Sequence, residues 1–240
     1  KLVNLKEGDS GLSHSRFIQD TVTNLVPKAL FARSVADLAE VSFLELSESA
    51  LFYYLPVAAG EYVARRGLYS KLLPQNLRPE VAEPVSKVLK SENAAKVLPI
   101  KAAIVLSCIC IPAAEWALSY AKNLFTLKVF KKSDFTNIAN LDKNKKEDPE
   151  SQKKVRDSSI RHIKRAGIIS AAGIGAGLVL ATFGHKSKAL QSFSAAFLNP
   201  GAKINSLLEK VGIKSKGLKS FLNEYVNFDF AKTSDGKLAL

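Results

Sequence analysis

Between residues 166 and 184 the chain carries no charged side chain, while Lys164-Arg165 stand before this run and His185-Lys186 after it. A helix of that length reaches roughly 28 Å at 1.5 Å per residue, close to the ~30 Å hydrocarbon core of a bilayer. The pattern predicts a membrane-spanning helix. A second apolar run, 101–122, is interrupted only by Glu115 and predicts a second span, kinked at Pro112, with the Trp116 and Tyr120 rings at the headgroup boundary.

Elsewhere the apolar positions recur at helical spacing. No glycine or proline falls between residues 28 and 55, which predicts one long helix there, entered at Pro27 after Asn24. Asp37, Glu40, Glu45 and Glu48 share one face of it, an acidic stripe expected to meet water or the protein's own lysines. Residues 49–60 are uncharged, too short a run to span. Followed by Arg65-Arg66, they read as a re-entrant or interfacial segment. Prolines 74, 79, 84 and 99 mark 67–99 as a connector with short helical turns. Residues 1–15 and the tail after 229 are expected to be mobile, as is 142–154, which offers nothing apolar to bury. Beyond residue 185, Ile204, Leu207, Leu208 and Val211 keep an i, i+3, i+4, i+7 rhythm that Leu218, Phe221, Leu222 and Tyr225 repeat, with lysines beside both. Such helices rest on a membrane surface or dock on the acidic stripe.

The organisation expected is therefore all-α: a helical membrane protein built on a two-span hairpin with amphipathic N- and C-terminal helices. Its segments are an N-terminal amphipathic region 1–66, a Pro-rich connector 67–99, a hairpin 100–184 containing the basic loop 122–165, and basic amphipathic helices over 185–240. Within the second span Gly173, Gly177 and Ala181 recur every four residues and form a smooth ridge for close helix packing. The spacing G-x-G-x-G at 173–177 departs from the dinucleotide fingerprint and has no strand before it.

Charge narrows the partners. The excess of 35 basic over 22 acidic residues leaves +13, and only eight of the basic residues are arginine. Base reading favours arginine, whereas attraction to an anionic surface needs only point charges. The expected partner is thus anionic lipid headgroups, with no specific nucleic acid. The basic loop 122–165 should lie on the cytoplasmic side of an integral membrane protein. The first residue is Lys and the sequence has no methionine, so a preceding segment is left open. Residues 1–17 hold no apolar stretch of signal-peptide type.

Candidate chemistry is sparse. Cys108 and Cys110 stand i, i+2 in an apolar run without His or acidic companions and read as small buried hydrophobes. The histidines at 14, 162 and 185 sit in polar or basic settings, and His162 reads as a solvated surface residue. No metalloprotease, nucleophile-elbow or phosphate-loop motif occurs, so no catalytic, cofactor or metal site is assigned and an enzyme is not expected. Glu61 and Glu115 are the candidate intramembrane carboxylates. Each follows a proline and two alanines at the end of an apolar run, although the proline-to-glutamate spacing differs between them. A scaffold or assembly subunit of a membrane complex is the leading expectation, homo-oligomeric or joined to other subunits. The alternatives are a small transporter or channel component and a soluble bundle that binds an acidic partner.

Overall fold

The computed structural model describes residues 9–75, 78, 89, 94–213 and 215–227. Among the described residues every regular element is helical and none is a strand. The helices are α1 (Asp9–Leu30), α2 (Val35–Leu68), α3 (Ala94–Ser107), α4 (Cys110–Phe130), the single-turn α5 (Phe135–Ile138), α6 (Pro149–Phe183), α7 (Lys188–Leu198), α8 (Pro200–Lys210) and α9 (Lys216–Tyr225), with a 3-10 turn at Gly184–Lys186. They group into two compact units, residues 1–58 with 109–173 and residues 59–108 with 174–240. Each unit takes one end of α2 and one end of α6.

In the first unit α1 and α2 are antiparallel. Their contacts are the His14 Nδ1–Tyr54 hydroxyl bond (2.6 Å), the Ser49 hydroxyl donating to Asp20 (3.1 Å), and the Lys28–Glu45 ion pair. The long helix expected over 28–55 is instead broken at 31–34. Ser34 accepts the Asp37 N–H (3.1 Å) while the Asp37 carboxylate accepts the Arg33 N–H (2.9 Å), a reciprocal cap that starts a helix without glycine or proline. Pro27 lies inside α1, not at a helix start, and α1 begins at Asp9, within the stretch 1–15 expected to be mobile. Nor does the chain re-enter at 49–60, because α2 continues through Pro56 as one 34-residue helix. The acidic stripe does meet lysines. Buried Glu40 takes Lys122 (2.6 Å) and the Thr126 hydroxyl (2.8 Å) of α4, and Glu45 takes Lys28. Phe43 stacks on Phe125 between the same two helices.

The connection from α4 to α6 is short and ordered. Much of the loop expected over 122–165 is helix, since α4 runs to Phe130 and α6 starts at Pro149. What lies between is a polar knot. The Glu147 carboxylate accepts the Ser133 hydroxyl (2.5 Å), the Ser133 N–H (3.1 Å) and the Asn137 amide (2.9 Å). Asp134 caps α5 through the Asn137 N–H (3.0 Å) and pairs with Lys145 (2.8 Å). Asp148 caps α6 through the Glu150 and Ser151 N–H groups, both at 3.1 Å. The segment 142–154 is therefore fixed by mutual satisfaction of polar groups, without an apolar core.

The second unit is built from small residues. Val63, Ala64 and Leu68 of α2, Ile100, Ala102 and Ala103 of α3, Leu180 and Ala181 of α6, and Leu198 of α7 form its core. Burying Leu68, Ile100 and Leu198 stabilises it by about 1.5–3 kcal/mol each. Glycine permits the helices to close on one another: a Cβ at Gly67 would lie 2.5 Å from the Ala181 Cβ, and one at Gly184 would lie 2.4 Å from the Pro99 Cβ. Between α3 and α4 only residues 108–109 leave the helix, with Ile109 still in the right-handed helical region (φ −61°, ψ −20°), and this interruption falls in the turn before Pro112, where the ring and missing N–H act. Of the short helical turns expected around 81–98, the part from Ala94 belongs to α3, while most of the Pro-rich connector before it, the tail beyond 227 and residues 1–8 lie outside the described residues.

Candidate functional site: two apolar helices and their charged margins

Two helical stretches, Val97–Phe130 and Pro149–Lys186, are long and apolar enough to cross a membrane. Of the residues in their most apolar eighteen-residue windows, 44% and 28% are buried within the protein, and exposed apolar side chains concentrate on the second stretch. On α6, Ile168 is 69% and Val179 59% exposed. Along Val97–Phe130 the exposed large hydrophobic side chains are Ile109 and Val129, so the outward apolar face lies mainly on α6.

The glycine ridge of α6 is used inside the chain. Gly177 lies against α3 and α2, where a Cβ would sit 3.0 Å from the Ala103 carbonyl oxygen and 3.6 Å from Val63. Ala181 meets Gly67, and Gly173 is buried. These contacts run Val63 to Gly177 and Gly67 to Ala181, so α2 and α6 are parallel in this unit, while α3 is antiparallel to both.

That register sets the depth of Glu61. It is level with Gly175, the middle of the uncharged run of α6. There it accepts from the Arg65 Nε (2.8 Å) and Nη2 (2.5 Å), a forked i, i+4 pair on α2. Glu115 has different surroundings, in the other unit. Trp116 lies 5.3 Å from the His162 ring, and Tyr120 stacks on the same imidazole at 4.3 Å and 16°. The Gln152 amide donates to the Lys131 carbonyl (2.8 Å) farther along the same antiparallel pair. Glu115 is therefore level with Arg165 and Ala166, where α6 changes from charged to apolar. Half-buried His162 is packed between aromatic rings and not solvated as its basic neighbours suggested; its Nδ1 is buried without a hydrogen-bond partner. The sequence signal for this cluster was the Trp116/Tyr120 pair one helical turn apart, but nothing in the sequence named the third ring.

Cys110 is buried and Cys108 half-buried, the Cys108 thiol donating to the Ile104 carbonyl (3.4 Å), and they are not joined in a disulfide. Among the described residues no group of His, Cys, Asp and Glu is arranged to hold a metal ion. Glu61 and Glu115 belong to different units.

These features define a class: an all-helical protein with two helices of membrane-spanning length. Beyond the class, no known family, curated protein or solved structure matches the chain.

Proposed function

We propose that this chain is an integral membrane protein that acts as a helical scaffold or assembly subunit of a membrane complex. The outward apolar surface of α6, where Ile168 and Val179 are exposed, carries the reading, because in water each exposed aliphatic side chain there would forfeit about 1.5–3 kcal/mol of burial. The level of Glu115, where the neighbouring helix becomes basic, supports a water–lipid boundary at that point. With the Gly177 and Ala181 ridge occupied by α2 and α3, a partner must meet another surface. Ile18, Val22, Val26 and Leu30 offer one, exposed in a row of four-residue steps along α1. Alkaline carbonate extraction followed by particle-mass measurement in mild detergent tests the reading. The chain should stay in the membrane pellet and run as a particle larger than one copy. Release by carbonate, or a lone chain in detergent, would overturn it.

The Glu61–Arg65 pair favours a second reading, a small transporter or channel component. Ionisable side chains at mid-span cost on the order of 2.5–3.5 kcal/mol each and mark ion or substrate pathways by default. On that reading Glu61→Gln abolishes an ion-coupled flux in reconstituted vesicles while leaving helicity unchanged. Without such a flux, the pair only neutralises itself.

A further inference from the structure

Helices α8 and α9 fold against each other more than against anything else. Gly201 donates its N–H to the Val226 carbonyl (2.7 Å), and the Asn205 amide bridges the Lys219 carbonyl (3.0 Å) and the Asn223 side chain (2.7 Å). The pairing 201 with 226 and 205 with 219–223 makes them antiparallel. The approach is close: a Cβ on Gly201 would fall 1.8 Å from the Leu222 carbonyl oxygen. Gly212, at φ +87°, turns the chain between them.

The contact consumes one face of each helix and leaves the apolar stripes free. At about 100° per residue, Ile204, Leu207 and Val211 span roughly 60° of α8, centred about 100° away from Gly201 and Asn205. On α9, Leu218, Phe221 and Tyr225 span about the same arc, offset by about the same angle and in the same sense from Leu222 and Asn223. Because the helices are antiparallel, equal offsets of equal sense bring both stripes to one side. The result is a plate two helices wide, on which Val211 is 77%, Tyr225 69%, Leu207 54% and Phe221 54% exposed.

The charges around the plate are sorted. Lys203 and Lys210 lie about 50° beyond Leu207, along the outer edge of the apolar stripe. Glu209 is on the opposite face of α8, where Lys219 pairs with it at 2.5 Å. Glu224, at the outer edge of α9, is the one acidic side chain beside the stripe among the described residues. Lipid acyl chains match such a stripe and anionic headgroups match its lysine edge, whereas a second copy of the same plate would gather the edge lysines of both copies with only one Glu224 from each to offset them.

We propose that the α8–α9 hairpin is a preformed foot that lies on an anionic bilayer surface, placing Leu207, Val211, Phe221 and Tyr225 among the acyl chains with Lys203 and Lys210 at the phosphates. This deepens the membrane reading and rests on it. The test uses the full chain, with Trp116→Phe to remove the native indole and Leu207→Trp or Phe221→Trp as the probe. It is reconstituted into phosphatidylcholine vesicles or into equal parts phosphatidylcholine and phosphatidylglycerol, each with and without brominated acyl chains. Both probes should show blue-shifted emission and bromolipid quenching in the anionic vesicles. Lys203→Gln with Lys210→Gln should lower the inserted-to-exposed ratio roughly fivefold per lysine. Water-exposed emission in the anionic vesicles would overturn the foot. So would shielding without bromolipid quenching, the result expected if a second copy covers the plate, or equal quenching in both lipids that the lysine changes leave unmoved. The chain's retention through carbonate is scored separately, so a spanning protein without a foot is distinguished from a protein that does not span.

Discussion

At Gly67 a single methyl group is the difference between a packed interface and a blocked one. The Ala181 Cβ would lie 2.5 Å from a Cβ at that position, and its backbone carbonyl carbon 3.2 Å away, so neither neighbour is the end of a flexible side chain. Gly67→Ala should destabilise the second unit by about 1–3 kcal/mol, read as a lowered thermal midpoint in detergent. Gly167→Ala, with nothing within 4 Å, is its control and should leave the midpoint level or raise it, through a helix-propensity gain of up to about 1 kcal/mol in stability. An equal fall in both would contradict the packing described for α2 and α6. The α6 side of this contact was legible, because Gly173, Gly177 and Ala181 recur at a helical step. Its counterpart was not. Gly67 falls where prolines begin to accumulate and so reads as the first residue of a connector, and only tertiary packing shows that α2 runs on to Leu68. His162 was hidden in a different way, since its basic neighbours describe its own helix face and say nothing of the rings on α4.

Among the elements, the polar knot between α4 and α6 has the clearest titration behaviour. The Lys145 ammonium, then the Asn137 N–H, hold the Asp134 carboxyl down at about 2, against an ordinary value of 3.8. Asp134 in turn raises Lys145. Burial pushes Glu147 up, but the hydrogen bonds from Ser133 and Asn137 outweigh it, leaving its carboxyl below the usual range. A depressed carboxyl stabilises the folded form above its unfolded pKa, and that stability is lost as pH falls through the folded pKa. The Asp134 contribution is therefore complete above about pH 4 and disappears towards about pH 2. Amide exchange at Asn137 should accelerate across that window, and Asp134→Asn should flatten the profile; an Asn137 amide insensitive to acid would show that the cap does not hold α5. The loop looked disordered in the sequence because only apolar burial was sought there. Carboxylates with donors at capping positions supply order by another route. The break at 31–34 was missed for a related reason, since the Ser34–Asp37 cap starts a helix without any of the usual breakers.

For the molecule as a whole, the all-helical fold and the two long apolar stretches were legible from clustering of hydrophobic residues alone. How deep each carboxylate sits was not. The sequence spacing makes Glu61 and Glu115 look alike, yet inter-helix register sets Glu61 level with the middle of an apolar run and Glu115 level with the end of one. The excess of lysine and arginine between the two stretches gives an orientation that can be checked. In a Cys108→Ala, Cys110→Ala background, Lys143→Cys should react with a membrane-impermeant maleimide in inverted vesicles and stay unlabelled in right-side-out ones. Labelling in the reverse sense would place that loop across the membrane. The knot also bears on how the chain can be handled. Its lysine-rich surface invites insertion of a reporter domain between 140 and 147. With Ser133 tied to Glu147 and Asp134 to Lys145, however, a graft there must first unfasten the strap joining the two longest helical stretches. A tag placed there would report on a protein that the tag itself has loosened.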